Sequence, residues 1–154
     1  MLKRKLGTTD LELSTIGFGA WAIGGGSWEY SWGPQNDKES IEAIIKAHEL
    51  GVNWVDTAAV YGLGHSEVIV GRVLKELGRD NVIVATKCGI TWDSNGKINR
   101  WVNGAQVRSE IDQSLKRLDI DTIDLYQVHW PYPDNLLEEV WTEMANCVKT
   151  GKVR

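Results

Sequence analysis

"VNWVDTAAVYGLGHSEVIVGRVLKELG", Val52 to Gly78, contains a strand, a loop and a helix in one continuous stretch. Val52 to Asp56 is an apolar run of the kind strands favour, and it stops at a carboxylate. The loop that follows is rich in glycine and carries Tyr61. Ser66 is placed to cap a helix in which Ile69, Val70, Val73, Leu74 and Leu77 fall on one face, and Gly78 ends it. An amphipathic helix leaving a strand buries its apolar face by folding back on the sheet, which makes this stretch a βα unit.

The same unit recurs on both sides. Downstream, "NVIVATK", Asn81 to Lys87, is a nearly unbroken β-branched run, as expected for a strand buried on both faces of a parallel sheet. A long loop reaches Gly104, and Val107, Ile111, Leu115 and Leu118 mark the next helix. "DTIDLYQVH", Asp121 to His129, reads as a strand, and the prolines of "WPYPDN" break the chain. Leu137, Val140, Trp141, Met144 and Val148 outline a last helix, halted at Gly151. Upstream, "STIGFGA" is a strand. A Gly- and Trp-rich loop then leads to Asn36, which with Glu39 caps a helix holding Ile41, Ile44, Ile45 and His48 before Gly51. "KRKL" and "LELS" flank the turn "GTTD" as a hairpin over residues 1–13. Residues 14–154 are then four βα units, and no linker or low-complexity stretch divides them. The expected class is α/β with a parallel sheet, open or barrel-shaped, in a single domain over 1–154. Trp54 and Trp141 are expected in its core.

Composition narrows the function. The chain carries 17 basic and 21 acidic residues, a net charge of -4, and has no basic run to track a phosphate backbone, so nucleic acid is not an expected partner. Nothing approaches the roughly 18 uninterrupted apolar residues of a membrane span, and a cytoplasmic protein is expected. Cys88 and Cys147 match no metal or disulfide spacing, and His48, His65 and His129 are scattered, so no metal site is expected. Burial is the expected state of Cys88.

The polar residues at the strand ends are more informative. Asp56 closes one predicted strand, Lys87 the next and His129 the one after, and parallel strands bring all three to one edge of the sheet. Tyr61 leaves the same edge. Ligands bind at the C-terminal edge in α/β folds. Taken singly, such an Asp caps a turn, such a Lys is solvated, and such a His or Tyr is packing. Their convergence is what points to chemistry. A phenol, with an ordinary pKa of about 10, becomes a better proton donor beside an ammonium. Lys87 would serve Tyr61 in this way, Asp56 would keep Lys87 charged and aimed, and His129 would orient a substrate oxygen. The set suits protonation of a carbonyl oxygen while hydride reaches its carbon, and since no side chain supplies hydride a nicotinamide cofactor is implied. Gly17, Gly19 and Ala22 spell a G-x-G-x-x-A pattern, but no helix can open promptly in the "GGGSWEYSWGP" that follows, so it does not read as a dinucleotide fingerprint.

These residues resemble the aldo-keto reductase family. "GVNWVDTAAVYGLGHSEVIVGRVL" is similar to its aspartate and tyrosine signature, "VIVATKCG" to its lysine strand and "TIDLYQVHWPYP" to its histidine strand. "KRKLGTTDLELSTIGFGAWAIGG" resembles the family's start in the branch of bacterial general stress reductases and potassium-channel β subunits. The resemblance implies the N-terminal half of a (β/α)8 TIM barrel, four βα units after a short hairpin. It also implies reduction of aldehydes or ketones with NADPH by the tetrad Asp56, Tyr61, Lys87 and His129, Tyr61 being the general acid. Gly19, Ala20, Trp21 and Asp56 match cofactor contacts. A non-enzymatic regulatory subunit that keeps the reductase fold is the alternative.

Such barrels run to about 250 residues, whereas this chain ends at "GKVR", where the family's fifth strand begins. The expectation is a partial sequence of a full-length reductase. Pairing of two copies through the open half-barrel and a stand-alone half-barrel are the alternatives. Trp28, Tyr30, Trp32, Trp92, Trp101 and Trp130 all fall in loops after strand ends. Either they form an apolar substrate cleft, with Trp28, Trp92 and Trp130 as its walls, or they pack long loops onto the barrel top.

Overall fold

Strand β5, Ile83–Cys88, explains the sheet around it. Val84, Ala85, Thr86 and Cys88 are all buried, because β5 has a parallel neighbour on each side and a layer on each face. The computed structural model describes residues 1–26 and 28–154. In it, β3 (Phe18–Gly19), β4 (Trp54–Asp56), β5 and β8 (Leu125–Val128) form one sheet in that order, every pairing parallel. Gly19 lies beside Asp56, Asp56 beside Ala85, and Lys87 beside Gln127. This register places the strand-end polar residues along one edge.

Helices α1 (Asp37–Glu49), α2 (His65–Leu77), α3 (Gly104–Leu118) and α4 (Leu137–Lys149) alternate with those strands. Of the predicted apolar face of α2, Ile69, Val70, Val73 and Leu74 are essentially without exposure and Leu77 is half-buried. Asn36 caps α1 by accepting from the amides of Lys38 and Glu39. Before the sheet, β1 (Lys3–Lys5) and β2 (Glu12–Ser14) pair antiparallel as the predicted hairpin. At the edge opposite the strand-end residues, buried Asp124 accepts from Arg79, Arg154 and the Val84 amide, tying the beginnings of two strands together.

Five expectations need correction. Ser66 is not the cap of α2. Gly64, at φ 100°, opens that helix one residue before His65, in a conformation that glycine tolerates. The buried Ser66 hydroxyl instead donates to the Ala20 carbonyl at 2.9 Å and lies 2.9 Å from the Thr57 hydroxyl. The long loop before α3 contains a short antiparallel pair, β6 (Thr91–Trp92) with β7 (Ile98–Asn99). The strand expected over 121–129 is shorter, because Ile123 bridges in parallel to Val153 ahead of β8. Trp141 is 61% exposed: the buried stripe of α4 is Val140, Met144 and Cys147, and Trp141 sits beside that stripe. Trp54 is half-buried, with its indole N–H donating to the Ser14 carbonyl. Among the described residues no helix is long and apolar enough to cross a membrane.

Candidate active site

Lys87 extends from β5 toward the cavity side of the sheet and finds three acceptors. Its Nζ donates to Asp56 Oδ2 at 2.8 Å, to the Thr57 carbonyl at 2.8 Å and to the Tyr61 hydroxyl oxygen at 3.3 Å. An ammonium has three hydrogens and no acceptor, so this set exhausts it and fixes its direction. The Lys87 side chain is only 13% exposed; the paired carboxylate compensates for that burial.

Tyr61 is held from below and from the side. The loop from Thr57 to Gly64 turns through hydrogen bonds from the Tyr61 amide to the Ala58 carbonyl and from the Ser66 amide to the Tyr61 carbonyl. Gly62 has φ 61° and sits so close to Gly24 that a Cβ there would lie 2.1 Å from the Gly24 oxygen, so only glycine lets the two loops meet. The Trp21 ring stacks on Tyr61 at 6.1 Å, and His129 meets it edge-on at 5.7 Å. The structure therefore brings Asp56, Tyr61, Lys87 and His129 together.

His129 follows β8, its backbone amide donating to the Cys88 carbonyl. Burial, reinforced by the nearby Lys87 charge, pushes its pKa down to about 4, which leaves a neutral imidazole with one N–H to donate. Cys88 is buried and its thiol is pushed up to about 12, chiefly by burial. A thiol held that high is not a nucleophile.

Above the four residues opens a cavity of about 270 Å³ walled by Trp21, Trp28, Tyr30, Val60, Ile90 and Trp130 among others. The loop tryptophans divide by position. Trp28 and Trp130 line the cavity, whereas Trp92 does not. The Arg117 guanidinium sits 5.8 Å from the Trp92 ring, and that contact keeps Trp92 as loop packing.

The expected cofactor positions also divide. A Cβ at Gly19 would meet no atom within 4 Å, Trp21 is 42% exposed and Asp56 stands between Gly19 and Lys87. Together they leave an open shelf along the strand ends. Ala20 offers no such contact. It is fully buried, its amide donates to the Asp56 carbonyl and its own carbonyl accepts from Ser66, so it fixes the strand end from beneath.

Three further residues belong to the site. Gln127 reaches Asp56 Oδ1 with its amide at 3.4 Å. Its place two residues before His129, on the same face of the strand, is a legible sign. Thr57 contributes only its carbonyl, which side-chain chemistry does not announce. Arg100 lines the cavity from the loop after β7 and has no sequence signal beyond its charge.

A parallel α/β half-sheet with a Lys–Asp–Tyr–His set at the C-terminal edge defines a barrel of the reductase kind, and comparison with known proteins agrees. The aldo/keto reductase family model matches residues 15–154. The chain is 47% identical to the aldo-keto reductase YhdN of Bacillus subtilis over 95% of its length and 43% of the relative's. It is 46% identical to the NADH-specific methylglyoxal reductase of Escherichia coli, covering all of this chain and 50% of that one. The solved structure of a glycerol dehydrogenase from Gluconobacter oxydans superposes with a TM-score of 0.86 at 40% identity, over 99% of this chain and 46% of that one. The chain belongs to the aldo/keto reductase family. It spans about half the length of the curated relatives it matches, and its fold is that of the first half of their barrels.

Proposed function

We propose that this site reduces small aldehydes or ketones to alcohols with NADPH, Tyr61 delivering the proton. The observation that carries the proposal is the direction of the hydrogen bonds around Tyr61. Because Lys87 can only donate, the Tyr61 oxygen accepts from it, and the phenolic hydrogen is left to point elsewhere. It is free to bind the oxygen of a carbonyl in the cavity.

As the carbonyl carbon gains hydride, its oxygen gains electron density and takes the Tyr61 proton, giving the alcohol. The negative charge left on Tyr61 then lies beside the Lys87 ammonium, which Asp56, itself held by Gln127, keeps in place. Placing fixed charge where charge develops is the main way such sites lower barriers. His129, being neutral, donates one N–H to the same carbonyl oxygen without bringing a second cation against Lys87. The nicotinamide, when bound, supplies the hydride. Gly19, Trp21 and Asp56 are the residues here that would hold it, on the shelf along the strand ends.

The test is oxidation of NADPH, with NADH in parallel, over a panel of small aldehydes and ketones. Carbonyl-dependent oxidation is expected, and Tyr61→Phe should lower kcat by about 10²- to 10⁴-fold, the range of a general acid, with cofactor affinity unchanged. Turnover undiminished in Tyr61→Phe would overturn the assignment.

A further inference from the structure

Helix α3 buries an acid where its spacing calls for an apolar residue. Glu110 lies between Val107 and Ile111 in the buried stripe of that helix and is 4% exposed. No cation pairs with it among the described residues, and Arg117 of the same helix donates to Glu67 instead. A buried carboxylate without a counter-charge is expensive, so what this one holds is informative.

Both of its oxygens accept from a single donor, the Gly89 amide, at 3.1 Å. The carbonyl of the same peptide unit, that of Cys88, accepts from the His129 amide at 2.8 Å. In a trans peptide the C=O and N–H point in opposite directions, so this one peptide is held from α3 on one side and from His129 on the other. It lies directly after Lys87. At Gly89 the chain turns with φ 93°, and a Cβ there would come within 3.3 Å of Val102 Cβ and 3.6 Å of the Trp130 carbonyl oxygen. Ile90 then enters the cavity wall.

We propose that Glu110 is a positioning residue for the reduction: by gripping the Gly89 amide it fixes the peptide on which His129 is anchored, and so sets the imidazole relative to Tyr61 and Lys87. The inference rests on the reductase reading of the site. Glu110 does not line the cavity and acts only through the backbone. A hydrogen bond to an ionised acceptor is roughly twice as strong as a neutral one, so the grip tightens when Glu110 loses its proton. Its carboxyl is pushed up to about 7, mainly by burial. Facing it are Glu67 of α2, Cys88 of β5, Tyr126 of β8 and Arg117 of its own helix. Burial pushes the Cys88 thiol to about 12 and the Tyr126 phenol well above its ordinary value, and His129 ionises only near 4.

The experiment follows the backbone amide signals of Gly89 and His129 by NMR in the folded protein from acid to alkaline pH. Both should shift together with a midpoint near 7, and Glu110→Gln, which keeps an oxygen for the amide but carries no charge, should flatten both. Glu110→Leu removes the acceptor and should lower kcat by about 10- to 100-fold at unchanged cofactor affinity, the scale of a small misplacement at a reacting centre. Glu110→Gln should restore most of that loss, which a role in packing alone would not require. A Gly89 signal that titrates while His129 stays still, the absence of any shift at Gly89, or a folded Glu110→Leu variant with the parental kcat overturns the proposal. Where Glu110→Leu fails to fold, the NMR titration decides alone. Two amides that titrate together in a protein that reduces no carbonyl compound with either cofactor support the link from Glu110 to His129 and count against the reductase reading instead.

Discussion

Thr86 and Lys87 are neighbours on β5 that point to opposite faces of the sheet, and each meets a carboxylate. Thr86 faces the helices. Its hydroxyl donates to Glu67 at 2.6 Å, and Arg117 of α3 donates to the other Glu67 oxygen at 2.6 Å. Each Glu67 oxygen has a partner, and the residue has no exposure at all through which a ligand could reach it. Lys87 faces the cavity. Its acceptors are equally complete, but the partners are not: the phenolic hydrogen of Tyr61 and the ring of His129 have no acceptor or donor among the described residues. One ion pair closes a structure and the other leaves two groups for a substrate. The presence of buried charge does not separate them; the inventory of unused hydrogen-bonding groups does.

The two ion pairs differ most in what a change at Glu67 does. Glu67→Gln keeps an acceptor for Thr86 but leaves Arg117 without its counter-charge, and should cost about 3 kcal/mol, the scale for removing one partner of a buried pair. Urea unfolding would show it as a lowered midpoint with an unchanged slope, while turnover of the folded fraction stays the same. A loss of turnover without loss of stability would mean that the helix-side pair belongs to the reaction.

A second, smaller effect lies in pH. The folded His129 pKa of about 4 is below its ordinary 6.5, so between those values the unfolded chain holds more protons and stability rises with pH. Glu110, pushed up to about 7 mainly by burial, behaves oppositely. Between its ordinary 4.5 and 7 the folded chain holds the extra proton, and stability falls as pH rises. Both Glu110 oxygens accept from the Gly89 amide at 3.1 Å, which only partly offsets the burial. In the shared window the two slopes oppose each other. Relative to the parent, His129→Gln should make stability fall more steeply with pH and Glu110→Gln should make it rise more steeply. Thermal unfolding at intervals from acid to neutral pH reads both signs.

Least affected should be Trp141, whose exposure removes it from the packing that its helical spacing had implied. Trp141→Ser should change stability by less than about 0.5 kcal/mol, and a loss of several times that would return this residue to the core.

The strand and helix sequence was legible because β5 and α2 carry strong periodicities, and the convergence of Asp56, Lys87 and His129 on one edge, with Tyr61 in the loop beside them, followed from the parallel topology. What escaped the reading depended on atoms rather than patterns. The Thr57 carbonyl that helps aim Lys87 has no side-chain signature. Ser66 looked like a cap because its hydroxyl chemistry suits one, yet the deeper demand came from the Ala20 carbonyl. Trp141 was misplaced because a spacing of three or four residues fixes a stripe but not its edges. Among the loop tryptophans, sequence could not separate Trp28 from Trp92, since Trp92 is settled by where Arg117 comes to rest and Trp28 by its packing against Tyr30. Ala20 matched a family position without presenting a surface.

In the proposed reduction Lys87 and Tyr61 act as one proton-donating unit. The direct measurement is kcat for Tyr61→Phe, Lys87→Met and the double variant, with cofactor affinity measured alongside. Groups that act together lose their effect once, not twice, so the double variant should be within about threefold of the slower single one. Losses that multiply, at unchanged cofactor affinity, would show that the two residues contribute independently rather than as a unit.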